Sequence, residues 1–417
     1  MNRRDLRNAS LNVVGESVWG FMANLIAPAA VLTVLLRQHG AGEGLIGSVA
    51  AIESGAGLLP QLLGVYVFHS RRRRKVMLVL WHLLAALPFL LLMAILSFHS
   101  ERLGQRLYCL LMLTGFGVFT FVMGIVVAAW VDFIGHLFPI EIRGKVMGVS
   151  ITGFSLAGTA GALVAGWWLK AATVAHPFAW LYLAAWLLGS LSILLWCPVD
   201  DPVSRTGDDE PRLPLRELLA RFRHSLTDCN FREFLLSRVL ATCGFCILPF
   251  IAVHYTSTAG GGLPHDLVVS AYAALTLGLG AGSLALGWMG DRRGHRCGVL
   301  VGTTAQVVAL LVLLFVTGRW GCILAYVAAG VCSACGFVSH YNLILESCPH
   351  DNRMAHISVA NLLVGLPLAV VPILAGLAAE SWGLRPVFLA SLGCSVLALL
   401  WVVCRVREPR VLGLQPD

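Results

Sequence analysis

Charge is what this sequence has least of. Of its 417 residues only 12% are Asp, Glu, Lys or Arg, about half the ~25% usual for a soluble protein. So little charge leaves too little polar surface for a soluble globular enzyme, and the chain is far too apolar to be disordered. Catalytic signatures are missing as well. No HExxH, GxSxG or Walker loop occurs, so the metalloprotease, serine-hydrolase and nucleotide-hydrolase chemistries those motifs carry are excluded, and the chain reads as no enzyme. Paired cysteines in polar loops are also lacking: most of the twelve Cys fall inside apolar runs, against a disulfide framework. What fills the chain is apolar, 58% hydrophobic with a mean hydropathy of +0.80. The net charge of +8, 30 Lys and Arg against 22 Asp and Glu, first suggests a polyanion partner. A bilayer accounts for it better than nucleic acid does, because basic residues collect in cytoplasmic loops.

A helix needs ~20 mostly apolar residues to cross a bilayer. Such runs recur twelve times, near residues 13–36, 45–67, 76–98, 107–131, 146–169, 178–197, 234–257, 267–289, 298–316, 321–345, 357–379 and 387–404. An even number puts both termini on one side. The loops on that side hold Arg3, Arg4, Arg7, Arg71 to Lys75, Arg143, Lys145, six Arg between 205 and 232, Arg292, Arg293, Arg296, Arg353, Arg405, Arg407 and Arg410. The opposite loops hold only Arg37, Arg102, Arg106, Lys170, Arg319 and Arg385. Both termini are therefore expected in the cytoplasm, with the first run acting as a signal anchor rather than a cleaved peptide. The expected domains are residues 1–197, a cytoplasmic linker 198–232 ending in an amphipathic surface helix, residues 233–404, and a tail 405–417.

The two halves match each other. Placing Gly64 over Gly287 brings Gly55 onto Gly278 and Gly57 onto Gly280. Pro139, Glu141 and Arg143 fall on Pro349, Asp351 and Arg353 in the loops after spans four and ten. These are the marks of parallel repeats. The segment Gly287-Trp-Met-Gly-Asp291-Arg292-Arg-Gly294-His-Arg296 resembles the G-x-x-x-D-R-x-G-R-R loop of the major facilitator superfamily in its second-half copy. The segment from Pro139 to Arg143-Gly144 is similar to that family's loop between helices 4 and 5. In the first-half loop Gly64 is kept, but Phe68 stands where the acid belongs.

The resemblance implies an all-α polytopic membrane protein: twelve transmembrane helices in two six-helix bundles around a central cavity, rocking between inward-open and outward-open states. It implies that helices 2, 5, 8 and 11 form the bundle interface. Small residues at four-residue spacing fit close helix approach there, from Gly47 to Gly55, Ala157 to Ala165 and Gly278 to Gly282, and Pro60, Pro367 and Pro372 would kink these spans. It also implies a cytoplasmic latch of Gly287, Asp291, Arg292, Gly294 and Arg296 with Arg143 and Arg353. Because Phe68 replaces the first acid, the latch is expected to be one-sided.

Ionisable groups inside spans are costly and so are functional candidates. Glu16, Glu53, Arg238, His82, His254 and His340 lie within spans, and Asp132 lies at a span end. The resemblance places helices 1, 4, 7 and 10 along the cavity, which favours Glu16, Trp19, Asn24, Trp130, Arg238, His254, His340, Tyr341 and Asn342 as lining groups. Glu16 and Arg238 sit at similar depths; they either pair on cytoplasmic closure or snorkel to the headgroups. Glu53 lies deeper, so Glu53 or Glu16 is the group to carry a proton if transport is proton-coupled, the alternative being a hydrogen-bonded structural role. Cys243 with Cys246, and Cys332 with Cys335, each share a helical face. They are either packing residues or a soft copper site. No resident metal or cofactor is expected.

Span four carries no Arg and span five no Gly-Pro pair, unlike the superfamily's drug/proton antiporters, and sugar-porter loop motifs are absent. The expected function is secondary transport of a small solute by a monomer in a bacterial inner membrane. A transport-inactive receptor or assembly factor is the alternative, and a copper transporter a further one.

Overall fold

A computed structural model of the chain describes residues 3–56, 60, 63–64, 67–68, 74–138, 140–201, 223, 226–347 and 353–409. Among the described residues the regular structure is entirely helical, and eleven helical segments are long and apolar enough to cross a membrane. We number the spans α1 (Arg3–Gln38), α2 (beginning Glu43–Ala51), α3 (Arg74–Phe98), α4 (Gln105–Leu137), α5 (Ile140–Ala171), α6 (Pro177–Leu194), α7 (Cys229–Thr256), α8 (His265–Gly290), α9 (His295–Phe315), α10 (Gly318–Ile344), α11 (Arg353–Trp382) and α12 (Leu384–Cys404). The second span lies partly outside the described residues, as do most of the expected surface helix in the linker and most of the tail.

The helices form two compact units. Unit 1 is Met1–Ala41, Ile52–Arg212 and His265–Ala273; unit 2 is Gly42–Ala51, Leu213–Pro264 and Ala274–Asp417. The start of α2 thus belongs with the second half, and the start of α8 with the first.

Helices in lipid gain little from hydrophobic segregation, so close packing of small residues carries association. In unit 1, α1 runs against α5 with Gly20 facing the Phe154 carbonyl, Gly161 facing the Phe21 carbonyl and Gly153 facing Ser17. A Cβ at any of the three would collide with its neighbour. In unit 2 the same device brings Gly298 and Gly302 of α9 onto Ser339 and Cys335 of α10, and Gly278 of α8 onto the Val327 carbonyl. Two further seams occupy equivalent places in the repeat. Gly47 of α2 meets the Pro372 carbonyl, with Gly376 against Glu43 and Gly44; in unit 1, Gly166 of α5 meets Ser270 at the start of α8.

The ends of the first and sixth helices of each half are closed in the same way in both units. Asn8 of α1 donates to the Asp200 carbonyl (2.9 Å) and accepts from its N–H (3.1 Å), while Asn230 of α7 donates to the Arg407 carbonyl (3.0 Å) and accepts from its N–H (2.7 Å). Each amide side chain bonds the backbone just beyond the sixth helix of its half. Lys75 Nζ binds the Cys197 and Val199 carbonyls at 3.0 and 2.8 Å, and Arg296 binds those of Val402 and Val403 at 3.2 and 3.0 Å. These carbonyls at and just beyond the ends of α6 and α12 lack intrahelical partners, so a cation there satisfies them and the helix dipole together.

Several spans contain short π-helical turns: Pro28–Leu32 in α1, Ile52–Ala56 in α2, Trp81–Ala86 in α3 and Gly336–His340 in α10. Three of the four hold an in-span ionisable residue, namely Glu53, His82 and His340. Such turns often occur at functional positions.

Candidate functional site

In unit 1 the structure brings Glu16 and Trp130 together. The Trp130 indole donates a hydrogen bond to the Glu16 carboxylate, and Trp196 of the α6 end stands behind it, ring centroids 6.5 Å apart. Trp19, one turn along α1, meets His82 edge to face at 5.7 Å, and His82 Nδ1 is held 2.8 Å from the Leu78 carbonyl. Glu53 is half-buried, with Tyr272 of α8 within electrostatic reach.

In unit 2 the matching place holds Arg238. It follows Asn230 by the same eight positions that separate Glu16 from Asn8, and His340 precedes Pro349 by the same nine that separate Trp130 from Pro139. Arg238 Nη1 lies 4.0 Å from Cys335 Sγ of α10, and His340 lies within electrostatic reach of Arg238. The guanidinium therefore turns toward α10. His340 is flanked by Phe234 (5.5 Å) and Tyr341 (5.3 Å), and the Tyr341 hydroxyl is hydrogen-bonded to Asn361.

Three expected lining residues stand elsewhere. Asn24 donates to its own helix at the Gly20 carbonyl (2.9 Å) and packs on Gly158 of α5. Asn342 likewise donates to the Val338 carbonyl (2.8 Å). His254 is buried against Phe388 of α12 at 5.4 Å. The thiols also part company: Cys332 and Cys335 face α9, where Sγ of Cys332 is 3.5 Å from Gln306 Oε1 and Cys335 packs on Gly302, while Cys243 has Cys394 of α12 within electrostatic reach. Among the described residues no group of three or more His, Cys, Asp or Glu is arranged to hold a metal. The Cys246 side chain lies outside them.

Of the expected latch, Arg292 stacks its guanidinium over Trp288 at 4.2 Å, and Gly287 faces open space. Gly294 has φ +85°, a backbone that favours glycine, and a Cβ there would strike the Glu408 carboxylate, which accepts the Arg296 N–H at 3.0 Å. Arg296 itself is engaged with α12, as above. The side chains of Asp291, Arg143, Arg353 and Asp132 lie outside the described residues.

Sequence reasoning passed over Gln306, Glu380 and Glu408. Gln306 is buried in α9 and donates to the Ala241 carbonyl (2.7 Å) and Ser395 (2.8 Å). Glu380 of α11 accepts the Gly44 N–H (2.9 Å) and caps α2. A lone amide inside an apolar span was the signal for Gln306; the two carboxylates, near span ends, carried none.

The family model of the Major Facilitator Superfamily matches residues 14–263 and 245–417, and the chain belongs to that superfamily. No curated protein matches it. Its structure is similar to that of a bacterial homologue of the human lysosomal transporter Spinster, in an inward-facing and unoccupied conformation (TM-score 0.66, 14% identity, covering 100% of this chain and 99% of that one). It is also similar to the nucleoside transporter NupG (TM-score 0.66, 14% identity, covering 97% and 100%). At that identity the likeness concerns the fold, which is the two-repeat transporter fold of an integral membrane protein.

Proposed function

We propose that this protein is a secondary active transporter that moves a small solute by alternating access, works as a monomer in a bacterial inner membrane, and keeps both termini in the cytoplasm. The observation that carries the reading is the pair of in-span charges, Glu16 and Arg238, at equivalent points of a superfamily repeat, each beside a polar or aromatic residue of the fourth helix of its half. Such charges persist in spans where they serve a solute or ion path. The domain plan follows the repeat: halves 1–197 and 233–404 joined by the linker 198–232, with a tail 405–417.

The N–H cap of Glu380 on Gly44 and the glycine seams between α2 and α11, and between α5 and α8, serve as contacts that part when the outer side opens. Asp291 and its neighbours serve as a cytoplasmic latch with Arg143 and Arg353. Asp291→Asn is then expected to lower transport without loss of folded protein, whereas wild-type rates in that variant would remove the latch.

Proton coupling falls to Glu53 or Glu16. The deciding experiment is accumulation and counterflow of a labelled metabolite panel, nucleosides included, in proteoliposomes with and without an imposed pH gradient. Counterflow of one solute establishes transport; failure of the whole panel favours a receptor or assembly role.

A further inference from the structure

Two buried nitrogens of unit 2 have no hydrogen-bond partner among the described residues. Arg238 Nε is buried and has no hydrogen-bond partner among the described residues, and no carboxylate pairs with the guanidinium there; Nη1 lies 4.0 Å from the Cys335 thiol. His340 is 5% exposed and its Nδ1 is equally without a partner. A neutral imidazole can carry its proton on Nδ1 and donate from there. The π turn Gly336–His340 places this ring near Arg238, and Phe234 and Tyr341 give it an aromatic surround.

A thiol is a weak acceptor and brings no negative charge, so the site offers donors in excess. The matching place in unit 1 is complete: there the Trp130 N–H already meets the Glu16 carboxylate. Among the described residues this cation inside a span is left with donors and no counter-charge, a deficit that an anion from outside the chain would fill. The planar guanidinium fork suits a carboxylate or phosphate in bidentate contact.

We propose that Arg238 and His340 form the recognition point for an anionic group, a carboxylate or phosphate, on the transported solute. This rests on the transporter reading above and narrows its substrate class.

The test is thermal melting of the purified full-length protein with benzoate, phenyl phosphate or neutral benzamide. Benzoate or phenyl phosphate should raise the wild-type melting midpoint saturably, and benzamide should not. Arg238→Gln should weaken half-saturation by about tenfold or more, the size expected for losing a charge-assisted hydrogen bond, with Arg238→Lys in between. His340→Asn provides a second variant if Arg238→Gln does not fold, and it too should weaken the anions. An equal response to benzamide, an unchanged response in these variants, or no response to either anion overturns the proposal.

Repeating the melts in nanodiscs of phosphatidylcholine and of phosphatidylglycerol separates sources. Loss of the phenyl phosphate response in phosphatidylglycerol alone, abolished by Arg238→Gln, assigns the anion to a lipid headgroup; its retention in both assigns it to a free solute. Proteoliposome counterflow of labelled benzoate distinguishes the two levels. Arg238-dependent binding without counterflow keeps the anion site and sinks transport, while counterflow of neutral solutes indifferent to Arg238 does the reverse.

Discussion

The first helices of the two halves, α1 and α7, are built alike up to one point and then differ in the chemistry they hold. Both carry in their first turns an asparagine that bonds the backbone beyond the sixth helix, Asn8 to Asp200 and Asn230 to Arg407. Eight positions on, α1 holds an acid whose neighbour donates to it, and α7 holds a cation that meets a thiol at 4.0 Å and whose buried Nε has no partner among the described residues. The clasping asparagines repeat and the in-span charges do not. Duplication supplies a backbone, and the charges placed on it set the chemistry of each half separately.

The largest expected effect strikes at this contrast. If unit 1 handles protons while unit 2 handles the solute, Glu16→Gln or Glu53→Gln should cut pH-driven accumulation by roughly 5–150-fold, the usual span of coupling between two bound species. Anion binding at Arg238 should persist in both variants. Intact pH-driven transport in both would remove proton coupling from these carboxyls.

Next come the paired seams. Gly47→Val drives a branched side chain into the Pro372 carbonyl, and Gly166→Val drives one into the Ser270 hydroxyl and the Asp266 carbonyl. Each should cost about 1–3 kcal/mol by overpacking, read by unfolding in detergent. Gly47→Val should cost more, since its first obstacle is backbone while a serine hydroxyl can rotate; the reverse order would show that unit 1 holds the tighter seam.

Gly294→Ala tests the closure of unit 2. A non-glycine residue at φ +85° should lose about 1–3 kcal/mol as the Glu408 contact is displaced, and an unaltered melting point would deny that contact any weight. Smallest are Asn8→Ala and Asn230→Ala, whose bonds are only part-buried or exposed, so that each substitution should cost about 1 kcal/mol. Equal losses would confirm that the two clasps are the same device, and a wide disparity would break the comparison.

The spans, the repeat and the family resemblance were legible because each rests on residue type and order. Twenty apolar residues have few options, and the loop from Gly287 to Arg296 carries its pattern in plain view. The candidate site was legible at the level of which residues are costly: Glu16, Trp130, Arg238 and His340 stand out in apolar surroundings, and the structure groups them two by two. Their neighbours were not legible, since spacing fixes which face a residue shares but not which helix that face meets. Cys332 and Cys335 do lie on one face, yet that face meets Gly302 and Gln306 on α9. Arg296 reads as a gate residue from its loop and is occupied with the end of α12, a pairing that depends on how three helices converge.

The π turns bear on any alignment of these spans. Such a turn bonds i to i+5, so it houses one residue more than the α turn it replaces, and one residue of α-helix corresponds to about 100° of rotation. Each π turn is in effect a phase shifter: residues before and after it obey the same period with different origins. A single-residue deletion within Gly336–His340 would restore an ordinary turn and swing Tyr341–Ser347 by about 100°, changing which side chains accompany Arg238 while leaving the length of the span nearly untouched. Loss or gain of one residue at such a turn is thus a route by which a fixed scaffold acquires a different set of lining groups without a single substitution.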